Sequence, residues 1–235
     1  LAGVRSAAVS KLQSSVAGRD VDVDITDNAV VNSLSAGVNT LTVDGSDMQN
    51  ALDAFGNIVD SADITLDASA LTSAKSITVI GGEGNDLFMT GSANDVINGG
   101  AGNDEINAGG GADILSGGDG NDTFVYDELG DSAGVTIDTI MGFVSAGLTD
   151  QIAVDDAMFS SVVAITGHAF GGNQASFGAA QGATTDGDGI IDYVFQSDTS
   201  TLWVDANDDG TLNANDLQIV LDGVTAIQAN DVVVV

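Results

Sequence analysis

Residues 81–125 read GGEGNDLFM (81–89), TGSANDVIN (90–98), GGAGNDEIN (99–107), AGGGADILS (108–116) and GGDGNDTFV (117–125), five nine-residue units in unbroken register. The sixth position of every unit is aspartate, and the eighth position is always apolar. The glycine-rich half of a unit lets the backbone turn through conformations that other residues avoid, and the other half supplies a short strand with one inward side chain. The block therefore predicts a coiled, repeating β structure. A flexible glycine-rich linker would need no apolar residue at every eighth position.

Two units make one coil, so turns on the same side of the structure recur in every second unit. Strands of successive coils should stack about 4.7–4.9 Å apart, which places Asp86 over Asp104, Asp95 over Asp113, and Asp104 over Asp122. Such turns offer carboxylate and carbonyl oxygens without nitrogen or sulfur, which favours several Ca²⁺ ions over zinc or copper. The predicted ligands in the repeats are Gly82, Gly84, Asp86, Asp95, Gly100, Gly102, Asp104, Gly109, Gly111, Asp113, Gly118, Gly120 and Asp122.

Two further calcium sites are predicted after the repeats. Asp131 lies one coil length beyond Asp113 along the chain and is expected to close one weaker site. The stretch DANDDGTLNAND, residues 205–216, fits an EF-hand loop with glycine at its sixth position. Its predicted ligands are Asp205, Asn207, Asp209, Thr211 and Asp216. It departs from the motif because Asp216 stands where glutamate is usual, and a hairpin turn with solvated acids is the competing interpretation. A partial loop at 185–192 lacks a twelfth ligand.

The composition is strongly acidic, with 35 aspartate and glutamate residues against 4 lysine and arginine residues and a formal charge of −31. Such a polyanion repels nucleic acid and anionic lipid, so neither is an expected partner. The hydrophobic content of 43% indicates that the chain folds once its charge is neutralised, and bound cations would do this. The chain contains no cysteine and no run of about 20 apolar residues that could span a membrane. Because it lacks an initiating Met and the apolar core of a secretory signal, residue 1 is expected to be an internal or processed position.

The regions around the repeats read as mainly β. Short helices are predicted over 1–20, 46–56 and 155–163, and the middle one is expected to connect strands at 41–43 and 64–66 by a right-handed crossover. Residues 167–189 are predicted to form a glycine-rich loop region. Further strands are predicted at 21–25, 75–80, 136–143, 150–154, 217–221 and 231–235, with a hairpin formed by 193–196 and 201–204. The predicted organisation is an N-terminal cap (1–76), a parallel β-roll (77–131) and a β-rich C-terminal region (132–235).

Catalysis finds little support in the sequence. The only histidine is His168, and a lone histidine cannot build the zinc site of an H-E-x-x-H protease. Residues 130–134 (GDSAG) match the G-x-S-x-G nucleophile elbow, but the following VTIDTI is strand-like, whereas the elbow requires a helix. We therefore expect no enzymatic activity from this chain.

The repeats, together with DTFVYDELGDSAGVTIDTIMGF, YVFQSDTSTLWVDANDDGT and LQIVLDGVTAIQANDVVVV, resemble the C-terminal region of RTX proteins, closest to the serralysin-type C-terminal domain. The segment that leads into the repeats, LDASALTSAKSITVIGGEGND, is more weakly similar to the segment that leads into the β-roll of RTX surface-layer proteins. The resemblance implies export by type I secretion machinery and folding outside the cell on meeting calcium.

Two functions follow from that resemblance. The first is a secreted surface-layer or matrix protein that associates with itself or with cell-surface polysaccharide. The second is the export and folding module of an RTX enzyme whose catalytic domain lies upstream of this chain.

Overall fold

The computed structural model describes residues 21–24, 40–52, 58–60, 62–71, 75–145, 150–155, 167–176, 190–205 and 211–235. Every helix or strand assigned within these ranges is a β-strand. The strands are β1 (Val21–Asp24), β2 (Thr40–Asp44), β3 (Ala51–Leu52), β4 (Ile58–Asp60), β5 (Ile64–Asp67), β6 (Ser76–Ile80), β7 (Leu87–Met89), β8 (Val96–Ala101), β9 (Glu105–Asn107), β10 (Ile114–Asp119), β11 (Thr123–Tyr126), β12 (Asp138–Met141), β13 (Gln151–Val154), β14 (Gly167–Gln174), β15 (Ile190–Gln196), β16 (Thr201–Val204), β17 (Leu217–Asp222) and β18 (Val232–Val234).

Successive repeat strands alternate between two sheets. A seven-stranded sheet has the order β1-β5-β7-β9-β11-β13-β18, and a nine-stranded sheet has the order β14-β15-β16-β17-β12-β10-β8-β6-β2. Within the repeats all pairing is parallel, with Leu87 beside Glu105 and Val96 beside Ile114. Each strand therefore pairs with the strand one coil away, and the predicted mainly β fold with a parallel β-roll is confirmed.

The core lies between the two sheets and is built by the eighth position of each unit. These side chains are Phe88, Ile97, Ile106, Leu115 and Phe124, all at most 1% exposed. Burial of each such side chain stabilises the fold by about 1.5–3 kcal/mol. One inward apolar side chain per half-coil is thus what joins the two sheets.

The sheets continue beyond the repeats in both directions. On the N-terminal side β2 pairs with β6, and β5 pairs with both β1 and β7, all in parallel. On the C-terminal side β12 and β17 extend one sheet, and β13 and β18 extend the other. The predicted hairpin of β15 and β16 is confirmed as an antiparallel pair. Both sheets therefore cross the predicted boundaries near residues 76 and 131.

The predicted helix over 46–56 is wrong in its described part. Residues 46–47 form a turn, and β3 pairs antiparallel with β4. Met48 is buried in the core, and the Asn50 side chain donates to the Glu83 carbonyl at 2.7 Å and accepts from the Ala62 amide at 2.8 Å. These long-range contacts override the local helical spacing.

The predicted crossover is also wrong, because β2 and β5 lie in different sheets. The glycine-rich loop predicted over 167–189 is wrong for its first residues, since β14 is a strand paired in parallel with β15. The predicted helix over 1–20 lies outside the described residues, as does the predicted helix over 155–163 apart from Asp155. Among the described residues no helix is long and apolar enough to cross a membrane.

Candidate calcium sites on the turns of the roll

The aspartates at the sixth positions stack into two columns, one on each side of the roll. In the first column, Oδ1 of Asp104 accepts the Asp86 amide at 2.8 Å, and Oδ1 of Asp122 accepts the Asp104 amide at 2.9 Å. The column begins where Asp86 Oδ1 accepts the Ile64 amide and continues where Asp150 Oδ1 accepts the Asp122 amide at 3.0 Å. Each carboxylate thus holds the turn of the preceding coil in place.

The second column follows the same rule. Asp95 Oδ1 accepts the Ile77 amide at 2.7 Å, and Asp113 Oδ1 accepts the Asp95 amide at 2.7 Å. Its next member is Asp138, whose Oδ1 accepts the Asp113 amide at 2.8 Å. The predicted stacking of Asp86 on Asp104, Asp95 on Asp113, and Asp104 on Asp122 is confirmed.

The second oxygen of most of these carboxylates has no partner in the described part of the chain. The buried Oδ2 atoms without a hydrogen bond belong to Asp95, Asp104, Asp113, Asp122 and Asp138. A buried ionised oxygen without a partner is costly, so each of these atoms requires a cation or a proton.

Backbone carbonyls lie next to these orphaned oxygens. A Cβ placed on Gly99 would lie 2.1 Å from Asp104 Oδ2 and 2.5 Å from the Gly117 carbonyl oxygen. The two oxygens therefore converge at Gly99, where the absence of a Cβ lets them lie close to the backbone. No three Asp, Glu, His or Cys side chains form a metal cluster among the described residues, so any ion would depend on carbonyls as well as carboxylates. Hard oxygens of both kinds suit calcium.

Burial raises the pKa of the column aspartates well above the ordinary value of 3.8. The pKa is about 6 for Asp86 and Asp95, and desolvation is the main cause for both. It is about 7 for Asp104 and Asp113, where burial is joined by the charges of neighbouring column members, and about 8 for Asp138. Because a carboxylate must lose its proton to bind a metal, calcium and protons compete for these oxygens.

The glycines predicted as ligands fall into two groups. The positive-φ glycines are Gly100, Gly102, Gly109, Gly111, Gly118 and Gly120, with φ between 65° and 149°. Gly82 and Gly84 lie in the first repeat turn without a positive φ. The full glycine turn thus occurs in the last three units, and the first unit has a different backbone.

A third column, of asparagines, was missed by the sequence reasoning. The Asn103 amide donates to Asn85 Oδ1 at 2.7 Å, and the Asn121 amide donates to Asn103 Oδ1 at 2.9 Å. Asp63 begins this column by accepting the Asn85 amide at 2.7 Å. Asparagine occupies the fifth position in four of the five units, which was the available signal.

Asp131 lies beside the second column and not in it. Its Oδ2 accepts the amides of Asp127 and Glu128 at 3.1 and 2.8 Å, which closes a local turn. Asp138 takes the place on Asp113 that the regular coil length assigns to Asp131. Asp131 therefore does not stack on Asp113, and a calcium site closed by Asp131 remains a prediction. Asp138 and Asp150 are the column members that the sequence reasoning missed.

The two ends of the EF-hand-like loop are buried. Asp205 and Asp216 are 1% and 0% exposed, and Asp216 Oδ2 accepts the Asn213 amide at 2.6 Å. Thr211 is exposed, whereas Asn207 and Asp209 lie outside the described residues. The partial loop predicted at 185–192 is described only from Ile190, where β15 begins. Calcium in this loop remains a prediction.

Of the two candidate catalytic residues, Ser132 precedes β12, and His168 lies in the edge strand of the nine-stranded sheet. Ser132 is fully buried, its hydroxyl donates to the Gln218 carbonyl, and it accepts the Asp138 amide at 2.8 Å. Its hydroxyl therefore joins β12 to β17 and is closed to a substrate. His168 lies in β14, in register with Ile191 of β15.

A parallel β-roll whose turns stack buried aspartates and glycine carbonyls defines a calcium-binding repeat protein. In agreement, residues 78–97 and 89–124 match the family described as the RTX calcium-binding nonapeptide repeat (4 copies). Repeats of this family typically bind Ca²⁺. The match covers the repeat block, and no curated protein matches the chain.

Proposed function

We propose that this chain is a non-catalytic structural protein of the cell exterior, a surface-layer or matrix component that folds and assembles on binding calcium. The observation that carries the proposal is the pair of aspartate columns. Each places buried carboxylates one coil apart and leaves one oxygen of most members without a partner among the described residues. A chain with 35 acidic and 4 basic residues cannot neutralise these columns from within.

Calcium supplies what the columns lack. Where calcium is scarce, repulsion between carboxylates opposes the stacking of coils and favours an extended chain. Where calcium is abundant, the ions bind the orphaned oxygens, and their binding free energy becomes folding free energy. This behaviour suits a protein that crosses a secretion channel unfolded and folds outside, and proteins with RTX repeats are generally exported by the type I system.

Self-association follows from the same charges. Calcium binding would reduce the net negative charge and so weaken the repulsion between copies. The remaining surface acids could bind calcium jointly with a second copy or with acidic cell-surface polysaccharide. We therefore propose that assembly, like folding, requires calcium.

A second candidate is the export and folding module of an RTX enzyme whose catalytic domain lies upstream. The observation that favours it is the continuity of both sheets from the repeats into β12, β13, β17 and β18. Strands from the C-terminal region therefore complete the calcium-binding roll, as a module that folds on export would require.

The test is electron microscopy with light scattering on the full chain, first freed of calcium and then in millimolar calcium. We expect ordered sheets or filaments that appear with calcium and dissolve on chelation. A compact monodisperse particle would favour the export module. A far-ultraviolet circular dichroism spectrum unchanged by calcium would count against both candidates.

A matched pair of variants sharpens this test. Asp104→Asn removes one buried column charge, and Asp119→Asn removes one exposed charge from the neighbouring turn. Both change the formal net charge by one. Assembly driven by the columns should fail in the first variant and persist in the second, whereas equal loss in both would indicate a nonspecific effect of charge.

A further inference from the structure

The two columns differ at the first position of their units. In the first column this position is always glycine, at Gly81, Gly99 and Gly117. A Cβ on Gly117 would lie 1.9 Å from Asp122 Oδ2, and one on Gly81 would lie 1.7 Å from the Gly99 carbonyl oxygen. The orphaned carboxylate oxygen and the carbonyl oxygen of the next coil therefore approach these glycines more closely than any side chain at the first position would allow.

In the second column the first position carries side chains. Thr90 and Ala108 occupy it, and both are only 3% exposed. The Thr90 hydroxyl donates to the Ala108 carbonyl oxygen at 2.9 Å. This carbonyl lies one coil beyond Thr90, as the Gly117 carbonyl lies one coil beyond Gly99. In the second column a side-chain hydroxyl therefore donates to a carbonyl oxygen, whereas in the first column the equivalent residue is Gly99, which has no side chain to donate.

The backbone of the turns differs as well. Gly102 and Gly120, at the fourth position in the first column, have φ of 120° and 149°. The equivalent residue in the turn 90–95 is Ala93, and the only described non-glycine residue with positive φ is Ser200. The turn 90–95 thus has a different shape from the turns 99–104 and 117–122, and its carbonyls cannot point in the same directions.

We propose that the calcium site between turns 99–104 and 117–122 is tighter than the site between turns 90–95 and 108–113, so that the repeats take up calcium in two steps. The inference rests on the proposed calcium-dependent folding. An ion entering the weaker site must displace the Thr90 hydroxyl from the Ala108 carbonyl and bind a turn that lacks the full glycine geometry. An ion that enters the tighter site displaces no hydroxyl and binds two turns that both have the glycine geometry.

The experiment is isothermal titration of the calcium-free full chain with CaCl₂. The wild type should show at least two classes of site. Thr90→Val keeps the shape of the side chain and removes its hydroxyl. It should tighten the weaker class about three- to tenfold, the change expected when one competing hydrogen bond is removed. The tight class should not change.

Two further variants act as controls. Ser92→Ala removes an exposed hydroxyl from the same turn and should leave both classes unchanged. Thr90→Gly also frees the volume at the first position and should tighten the weaker class at least as much as Thr90→Val. These variants keep every aspartate, so the test does not depend on a column variant that fails to fold.

The classes are assigned by Asp104→Asn, which should abolish the tight class, and by Asp95→Asn, which should abolish the weaker one. A single class of sites, or a weaker class that Thr90→Val leaves unchanged or weakens further, would overturn the inference while leaving calcium-dependent folding intact. The absence of any binding heat in the wild type would overturn the proposed function itself.

Discussion

The amide of Asp104 donates to Oδ1 of Asp122, one coil further along the roll, while Oδ2 of Asp122 is buried without a hydrogen-bond partner in the described structure. One carboxylate oxygen therefore holds the fold, and the other is available to a cation. An asparagine could keep the first role, because its amide oxygen can accept the same N–H, but its NH₂ group cannot bind a metal.

Asp122→Asn should therefore separate calcium binding from folding. We expect calcium affinity at the tight site to fall at least about tenfold, or about 1.4 kcal/mol. The calcium-free protein should lose no stability, because the variant removes a buried charge. Titration calorimetry and urea unfolding of the calcium-free protein measure the two effects. Asp119→Asn, which alters an exposed residue of the same turn, is the control, and an equal loss of affinity there would contradict the assignment.

Gly99 and Gly110 differ sharply in the room they offer a methyl group. A Cβ on Gly99 would lie 2.1 Å from Asp104 Oδ2. A Cβ on Gly110 would have no neighbouring atom closer than 3.8 Å. Gly99→Ala should therefore abolish the tight calcium site and lower the thermal midpoint in calcium. Gly110→Ala should change neither the calcium affinity of the tight site nor the thermal midpoint beyond the variation between preparations. If the Gly99→Ala variant binds calcium as the wild type does, Asp104 Oδ2 and the Gly117 carbonyl do not hold the ion.

How far the columns could be predicted depended on the regularity of the chain. Within the repeats, a constant spacing of two units placed each aspartate on its partner. After Tyr126 the loop 127–137 lengthens the coil, so the next members follow at intervals of 25 and 28 residues, at Asp138 and Asp150. Extending the constant spacing selected Asp131, because nothing local reveals the length of an inserted loop. The strand after the loop was nevertheless predicted, because 136–140 is rich in β-branched residues.

The error at residues 46–56 has a different cause. The apolar residues there fit one face of a helix, but Met48 packs into the roll and the Asn50 side chain joins Glu83 to Ala62. These contacts bridge residues 12 to 33 positions apart, which no local pattern encodes. The crossover expected from that helix was wrong as a consequence.

Two isoleucines test the contribution of the inward side chains. Ile106 is fully buried between the sheets, and Ile114 is 46% exposed on the outside of the neighbouring half-coil. Ile106→Ala should cost about 2–5 kcal/mol of unfolding free energy, the usual range for emptying a packed core site. Ile114→Ala should stay within about 0.5 kcal/mol of the wild type. Urea unfolding in saturating calcium measures both, and similar losses would contradict the placement of the core.

The stability of the calcium-free roll should decrease as pH rises. Burial raises the pKa of Asp104 and Asp113 to about 7 and that of Asp138 to about 8, from an ordinary value of 3.8. Between about pH 4 and pH 7 the folded state therefore holds protons that the unfolded state has lost, so raising the pH favours unfolding. Saturating calcium should reverse this trend, because protons then compete with the ion for the same oxygens.

The measurement is the urea midpoint at pH 5, 6, 7 and 8, with calcium removed by dialysis because chelators bind it weakly in acid. Asp138→Asn is the informative variant. Its amide oxygen can still accept the Asp113 N–H, but the residue no longer titrates. It should therefore flatten the calcium-free profile from about pH 5 to pH 8, and the slope between pH 7 and 8 should nearly vanish, since the pKa of Asp138 is higher than those of Asp104 and Asp113. A calcium-free midpoint that rises with pH would show that the column carboxylates are ionised in the folded state without metal, and that another charge balances them.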